Sequence, residues 1–537
     1  MLKRRVWIPI ASVFFVIALL AAALFAYSAV KANVLIAEYL SLLIAVMVLL
    51  LYTAGVMLFY GLHRKRSVLR RVRRIIGIIL CVVIAGASIY GTTLLLRFNS
   101  AMRNVSAKPA NDTKAIVGVY VKNEDKAQTV SDMAGYRFGV LSEPANETLY
   151  SNYAINNINE RVSAPVEAFS FPNIAAAAKA LVSGEVDALA VNKIYPGILE
   201  NSESFQGFNA EVRLIDEIPV PSTATLENTP VVISGDALKV QTTPEPTPEP
   251  TPEPTPVPSV YGEDTTLIFY LSGVDKWEAG VSNTHSDVNL LMLVNTKTRQ
   301  VLLINTPRDY FVTNPALNSG DKLTYCGLQG VDNSIAALEN YYGIDIDSYV
   351  KVNFAGFVIF VDDIGGITLD NPVAFSGTLP GNVSKFFPEG ENHLTGYEAL
   401  AYARERSAFG DGDLGRGRNH LRVLAAIITR MKTGGPSLML KYPAILDEMG
   451  NYFETGLSSD QISDLIKVAS RYLDEWEIKS YGVSGASGVR VPASSGMEEY
   501  IIWPKQTTVD FAIRLMTMIQ NDEIITDEVL AEAPSIY

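Results

Sequence analysis

The chain has 537 residues, enough for a membrane anchor and two or three globular domains. Its formal net charge is -13 and its isoelectric point is about 5.0, which argues against nucleic acid as a partner of the whole chain. Cys81 and Cys326 are about 245 residues apart, so neither a disulfide between them nor a cysteine-based metal site is expected. The four histidines are scattered, which argues against a zinc centre built from histidines.

Residues 1–97 are predicted to form a membrane anchor. Three apolar stretches, at 6–29, 34–60 and 75–96, are each long enough to cross a bilayer core of about 30 Å. The first is longer than the apolar core of a signal peptide and no convincing cleavage site follows it, so all three are expected to stay as helices.

Lysines and arginines predict the orientation of this anchor. They precede the first stretch and fill the segment between the second and third, whereas the loop between the first two carries little beyond Lys31. The positive-inside rule therefore predicts a multi-pass protein of the cell membrane with a cytoplasmic N-terminus and everything after about Arg97 outside the cytoplasm. The basic residues are Lys3, Arg4, Arg5, Arg64, Lys65, Arg66, Arg70, Arg71, Arg73 and Arg74.

Residues 112–222 are predicted to form a small accessory α/β lobe. The alanine-rich segment 173–183 predicts a helix that ends at Gly184, and short strands are predicted at 116–121, 137–141 and 188–191. The stretches VGVYVKNEDKAQTVSDMAGYRFGV and AAAAKALVSGEVDALAVNK resemble one lobe of a periplasmic solute-binding protein. The alternative is a spacer or interaction domain without a ligand.

A linker rich in Pro, Thr and Glu is predicted at 223–260. Its centre, residues 242–258, reads TTPEPTPEPTPEPTPVP. Alternating proline prevents helices and sheet ladders and favours polyproline II, which would span about 50 Å at about 3.1 Å per residue. Such a spacer marks a domain boundary.

Residues 261–445 alternate strands with helices, which predicts a layered α/β domain with helices on both faces of a sheet. Thr395 and Glu398 form a capping box that is expected to open a helix ending at Arg404, and a further helix is predicted at 417–432. Residues 446–537 are predicted to be a C-terminal extension that packs on this domain. The remaining predicted elements are strands at 267–272, 288–294, 301–305 and 348–352 and helices at 333–342 and 354–364.

Charged side chains lie next to several of these strand ends. Asp275 follows one strand and Asp287 precedes the next, so both are expected at one edge of the sheet, and Arg308 and Asp309 follow a third strand. Carboxylates can hold a divalent cation that bridges phosphate oxygens, and the guanidinium fork suits phosphate. Taken singly, each residue also has an ordinary interpretation as a turn, cap or solvated side chain. Further arginines frame a glycine-rich loop where an anion could approach backbone amides, namely Arg404, Arg406, Arg416 and Arg418.

Five stretches in this domain follow one another in an order that resembles the LytR–CpsA–Psr family of cell-wall glycopolymer ligases. They are LSGVDKW, SDVNLLMLVNTKTRQVLLINTPRDYFV, DKLTYCGLQG, DSYVKVNFAGFVIFVDDIGGI and LTGYEALAYARERSAFGDGDLGRGRNHLRVL. The resemblance covers roughly residues 261–432 and implies a layered α/β/α catalytic domain with a mixed central sheet.

The resemblance also implies roles for individual residues. Asp275 and Asp287 match the acids that bind Mg²⁺, or Mn²⁺, and Lys322 matches a lysine near the phosphates. Asp309 is implied either to orient Arg308 or to act as a base. Where many members have glutamine this chain has His420, which puts that one contact to a phosphate oxygen in doubt; Arg418 is a further candidate for substrate binding. The arginines that match the pyrophosphate-binding set are Arg308, Arg404, Arg406 and Arg416.

The implied function is an extracytoplasmic phosphotransferase. Its substrates would be a glycopolymer of teichoic acid or capsular type linked to polyprenyl pyrophosphate, and peptidoglycan as the acceptor, at the surface of the lipid bilayer. Two alternatives stay open: a hydrolase that cleaves the lipid pyrophosphate with water, and a non-enzymatic envelope sensor or transcription attenuator. The candidates for a lipid groove, or simply for the core, are the apolar residues Phe354, Phe357, Val358 and Phe360.

Overall fold

In the computed structural model of the chain, two regions that carry sequence predictions lie outside the described residues: the proline-rich linker at 223–260, and Arg64, Lys65 and Arg66 of the basic segment. The described residues are 2–33, 37–60, 68–105, 115–142, 145–193, 195–200, 205, 207–220, 264–277, 284–410, 412–435, 438, 441–450, 452–471 and 475–535.

The chain begins with three long helices, α1 (Leu2–Ala32), α2 (Ala37–Phe59) and α3 (Val68–Val105). Each contains a stretch long and apolar enough to cross a membrane, which confirms the predicted anchor. Small side chains fill the space where the helices meet, because they let the backbones approach closely, while large apolar side chains face outward. The buried small residues include Ala11, Ala18, Ala22, Ala54 and Ala85.

The lobe is a five-stranded sheet in the order β3-β2-β4-β1-β5. Strand β2 runs parallel to β3 and to the central strand β4, whereas β1 is antiparallel to both β4 and β5. The three predicted strands and the alanine-rich helix, capped by Asn173 and ended by left-handed Gly184, are present. The strands are β1 (Ile116–Lys122), β2 (Arg137–Leu141), β3 (Glu167–Phe171), β4 (Ala188–Asn192) and β5 (Val212–Pro219), and the helices α4 (Ala145–Asn159), α5 (Ile174–Ser183), α6 (Tyr195–Glu200) and α7 (Phe208–Glu211).

The second domain is built on a six-stranded mixed sheet in the order β16-β11-β6-β7-β8-β17. Strands β6, β7 and β8 form an antiparallel meander, and β11 and β17 join its two sides in parallel. The sheet strands are β6 (Thr266–Val274), β7 (Val288–Asn295), β8 (Gln300–Thr306), β11 (Ser348–Asn353), β16 (Phe453–Thr455) and β17 (Glu477–Gly482).

Helices cover both faces of this sheet, which confirms the layered α/β/α architecture. The alternation of β6 shows why: Ile268 and Tyr270 pack on one face and Leu267 and Phe269 on the other. Fully burying each such side chain contributes about 1.5–3 kcal/mol. The helices are α8 (Leu323–Cys326), α9 (Val331–Tyr342), α10 (Phe354–Asp363), α11 (Gly396–Arg404), α12 (Asp413–Thr433), α13 (Tyr442–Met449), α14 (Ser459–Arg471), α15 (Gln506–Gln520) and α16 (Asp527–Ala531).

The described part of the domain also contains four two-stranded ribbons. They pair β9 with β10, β12 with β15, β13 with β14, and β18 with β19. The strands are β9 (Phe311–Asn314), β10 (Ser319–Lys322), β12 (Ile367–Asn371), β13 (Phe375–Leu379), β14 (Val383–Phe387), β15 (Gly390–Leu394), β18 (Gly485–Arg490) and β19 (Glu499–Pro504).

Two predicted boundaries change. Both outer strands of the central sheet, β16 and β17, come from residues 446–537, so this region completes the domain rather than packing on it as an extension. A sheet edge left without them would expose unpaired backbone groups. Helix α12 begins at Asp413 instead of 417, which places Arg416 in its first turn and not in a loop.

The three parts of the chain contact one another. Tyr325, Leu328 and Met497 of the second domain lie within an apolar cluster of the lobe. Helices α13 and α14 pack against α3 of the anchor. The domain is therefore tied to the lobe on one side and to the anchor on another.

Glu147 of α4 generates a prediction about the stability of the lobe. Burial raises the pKa of this carboxyl to about 7. Because the folded state holds its proton more tightly than the unfolded state, stability falls as the pH rises from about 4.5 to 7, by about 3 kcal/mol, and stays level above pH 7. Glu147→Gln should remove this decline in thermal unfolding of the detergent-solubilised chain between pH 4.5 and 8. The exposed Glu167→Gln is the control, and an unchanged pH profile in Glu147→Gln would contradict the expectation.

Candidate functional site

Three strands of the central sheet bring the predicted site residues to one edge. The antiparallel pairs Gly273–Val288 and Asn289–Thr306 place the end of β6, the start of β7 and the end of β8 side by side. Asp275, Asp287 and Arg308 follow or precede these strand ends, as the sequence pattern predicts. The register of the meander thus determines which charged side chains meet.

Asp275 and Asp287 form an acid pair. The backbone N–H of Asp275 donates to Oδ2 of Asp287 at 3.3 Å, and Oδ1 of Asp287 accepts from Nη1 of Arg308. Burial alone would raise the pKa of Asp287, but Arg308 and His285 outweigh it and hold that pKa below its usual value. Burial raises the pKa of Asp275, against the opposing effect of Arg404. The two carboxyls therefore have different electrostatic surroundings.

Arg308 connects the acid pair to a second group of charges. Its Nε lies 3.6 Å from Oδ2 of Asp309, whose other oxygen is 3.2 Å from Nζ of Lys322. Lys322 also contacts Oε2 of Glu499 at 2.8 Å. The Asp309 side chain is only 8% exposed, so it is held between two cations. This position fits the orienting role for Asp309 better than the role of a base.

The other predicted arginines surround the same edge. Nη2 of Arg404, at the end of α11, is 3.4 Å from Oδ2 of Asp275. Arg416 is paired with Asp413, three residues earlier on α12. Arg406 is exposed and close enough to Asp413 to lower the pKa of that acid, which burial raises. The charges of Arg308, Asp287 and Asp309 act on Arg416, whose pKa burial lowers, so Arg416 faces the cluster.

Three residues of the site were not found from the sequence. Asp413 lies three residues before Arg416, a spacing that brings two side chains together only within a helix. Because the sequence predicts a helix start at 417, this pair is not expected from the sequence. Glu499 and His285 give no local signal, because each depends on a contact between segments distant in sequence. The His285 ring packs against Tyr325 at 5.4 Å, and burial lowers its pKa.

His420 and Arg418, the two further candidates for substrate binding, lie in different surroundings. The His420 ring is buried beside the backbone of Ala403, and burial together with Arg416 lowers its pKa to about 3, so it is neutral. Arg418 is two positions further along α12, about 200° around the helix, and lines a neighbouring cleft with Tyr481.

Among the described residues, Nε of Arg308, Nε of Arg416 and Nε2 of His285 are buried at the site without a hydrogen bond, although Nε of Arg308 lies 3.6 Å from Oδ2 of Asp309. Buried polar groups are normally satisfied, and a charged donor left alone is costly. Oxygens of a phosphate group would satisfy both arginine donors, since guanidinium groups bind such anions through parallel hydrogen bonds.

Asp275 and Asp287 are the residues that would hold a magnesium ion. Within the described part of the chain no three His, Cys, Asp or Glu side chains converge as a metal site. Mg²⁺ is commonly held by one or two carboxylates, with water and substrate phosphate oxygens completing its octahedron. Asp275 and Asp287, beside two unsatisfied guanidinium nitrogens, match that donor set.

Comparisons with known proteins identify a family and several relatives. The profile of the LytR_cpsA_psr family matches residues 238–507. A polyisoprenyl-teichoic acid–peptidoglycan teichoic acid transferase TagU of Bacillus cereus is 31% identical over 223 residues, 41% of this chain and 70% of the relative. The TagU of Halalkalibacterium halodurans is 33% identical over 220 residues, 40% of this chain and 69% of the relative.

Among solved structures, TagV of B. subtilis is 25% identical, with a TM-score of 0.40, and covers 49% of this chain and 100% of that chain. The family profile spans half of this chain, and the two TagU relatives, each above 30% identity, are covered over more than two thirds of their length. The chain therefore belongs to the LytR_cpsA_psr family.

Proposed function

We propose that this protein is a membrane-anchored phosphotransferase that moves a glycopolymer from polyprenyl pyrophosphate onto peptidoglycan. The TagU relatives carry the name of a transferase that joins polyisoprenyl-linked teichoic acid to peptidoglycan. The observation that carries the proposal for this chain is Arg308, which bridges Asp287 and Asp309 at the sheet edge where Arg404 and Arg416 also meet. Several guanidinium groups at one place would suit the negative charge of a diphosphate.

In the proposed reaction a sugar hydroxyl of the acceptor attacks the phosphorus nearest the glycopolymer. A new P–O bond forms, the P–O bond to the lipid phosphate breaks, and polyprenyl phosphate leaves while the hydroxyl proton passes to a carboxylate at the site. Phosphoryl transfer of this kind depends mainly on in-line positioning and charge neutralisation. A Mg²⁺ or Mn²⁺ ion held by Asp275 and Asp287 would neutralise charge on the phosphate oxygens.

The chain's own residues supply the positioning. Arg416 would offer its unsatisfied Nε to the phosphate oxygens, and Arg308 would bring its positive charge to the same place. Asp309 fixes the orientation of Arg308, and Lys322 balances the charge of Asp309 and Glu499. Arg404 carries positive charge to the Asp275 side of the cluster. Pre-organised donors of this kind are effective because they need no rearrangement during the reaction.

The proposed location is the outer face of the cell membrane. Arg71, Arg73 and Arg74 open α3, and the N-terminal residues before the first span are basic as well. Basic segments stay in the cytoplasm, so the end of α3 and the domains after it would lie outside. A lipid-linked substrate in the outer leaflet would then be within reach, since helices α13 and α14 contact α3.

Asp287→Ala tests the metal contribution. We expect activity to fall by roughly 10²-fold or more and its dependence on magnesium concentration to disappear, because the acid pair loses its buried member. The measurement is transfer of a labelled saccharide from polyprenyl pyrophosphate to peptidoglycan fragments by the full chain in detergent. Water as acceptor in place of the fragments would identify a hydrolase. Full magnesium-dependent activity in Asp287→Ala would remove the argument for metal binding.

Arg308→Lys tests the contact with the diphosphate. Lysine keeps the charge but cannot form the bidentate fork, so we expect the transfer rate to fall by roughly 10- to 100-fold. Arg137→Lys is the matched control, because Arg137 pairs with Asp187 in the lobe and should leave the rate unchanged. Equal rates for Arg308→Lys and the control would count against diphosphate binding by Arg308.

A further inference from the structure

Three aromatic side chains form a continuous surface beside the site, here called the aromatic platform: Trp277, Phe354 and Tyr397. The rings of Trp277 and Tyr397 are stacked, with centroids 5.9 Å apart and planes 27° apart. Phe354 meets the edge of Trp277 at 5.7 Å. The three residues come from the segment after β6, from α10 and from the first turn of α11, so only the fold brings them together.

The aromatic platform is open to solvent although it is made of large apolar rings. Trp277 is 40% exposed and Tyr397 is 46% exposed. Phe357 and Phe360, which the sequence also offered for an apolar groove, instead pack against the core cluster of this region. Exposed aromatic rings that are already packed edge and face against one another form a rigid surface suited to binding.

The aromatic platform adjoins the acid pair through a single arginine. The Arg404 guanidinium lies over the Phe354 ring at 4.6 Å from its centroid, and its Nη2 is 3.4 Å from Oδ2 of Asp275. A group that rests on the platform is therefore next to the position where phosphate would bind.

A cleft of about 560 Å³ is lined by two members of the platform, Trp277 and Tyr397. The tip of the β13–β14 ribbon, residues 378–382 with both polar and apolar side chains, also lines it, and Arg404 and Glu405 border it. This volume is within the range of about 300–1,000 Å³ that is typical of small-ligand sites. Its mixture of aromatic and polar walls suits a ligand with both an apolar face and hydroxyl groups.

We propose that the aromatic platform is a saccharide subsite that holds a pyranose ring beside the phosphate-transfer site. A pyranose presents an apolar face of C–H groups, which pack on the electron-rich face of an aromatic ring, while its hydroxyls are free to reach the polar wall. A polyprenyl chain fits this cleft less well, because the charged Arg404 and Glu405 border it. The relevance of the subsite to transfer rests on the proposed function, whereas saccharide binding itself does not.

Binding is tested first, on the full chain in detergent with the tetramer of N-acetylglucosamine as the probe. The change in tryptophan fluorescence on titration gives the affinity. Tyr397→Ala should weaken it roughly tenfold, the scale of one lost stacking face. Tyr397→Phe, which keeps the ring, and Tyr500→Ala, a tyrosine of β19 that is 48% exposed and does not line the cleft, should bind as the unaltered chain does. No binding by the unaltered chain, or equal binding by Tyr397→Ala, would overturn the proposal.

Kinetics then identify which sugar occupies the subsite. Trp277→Leu should raise KM roughly tenfold with little change in kcat. A rise in KM for the lipid-linked saccharide assigns the ring to the donor, and a rise in KM for peptidoglycan fragments assigns it to the acceptor. Unchanged KM for both overturns the subsite while leaving transfer intact. If the unaltered chain transfers nothing, the proposed function fails, and the binding titration still decides whether the platform holds a saccharide.

Discussion

The contact between Arg308 and Asp287 is the constraint on which the rest of the site depends. It can form only because β6, β7 and β8 are antiparallel neighbours in a register that ends all three at one edge. Asp309, the residue after Arg308, lies 3.6 Å from Nε of the same guanidinium, so Arg308 contacts two acids. A shift of one residue in β7 or β8 would send these side chains to the opposite face. The register of the sheet therefore determines which charged side chains form the site in this domain.

Gathering several arginines at one edge has an electrostatic cost that buried acids offset. Arg416 is paired with Asp413, and Lys322 lies between Asp309 and Glu499. Positive charge is therefore held in place without a ligand, since each cation keeps an acid beside it. Nε of Arg308 and Nε of Arg416 nevertheless make no hydrogen bond within the described structure, and in the proposed function they lie where the phosphate would bind.

The lobe and the site share a residue. Tyr325 packs within the apolar cluster of the lobe, and its hydroxyl donates to Oε2 of Glu499 at 2.7 Å, the same oxygen that contacts Lys322. On another side α13 packs against the third membrane helix. The lobe therefore contacts the charge network through Tyr325, although a long proline-rich segment separates the lobe from the domain in sequence. This contact gives the lobe a physical role even without a ligand of its own.

The sequence by itself determined the elements whose signals are local. Hydrophobic periodicity predicted the three membrane helices and the strands of the meander, the Thr395–Glu398 capping box fixed the start of α11, and the strand ends indicated Asp275, Asp287 and Arg308. Only the tertiary structure decided the features that join distant segments. These features are the addition of β16 and β17 to the sheet, the pairing of Lys322 with Glu499 and the contacts within the aromatic platform. The burial of His420 and the position of Arg418 in a neighbouring cleft also depend on the complete fold. The physical reason is that capping and periodicity act over a few residues, whereas burial and ion pairing depend on which surfaces the completed fold presses together.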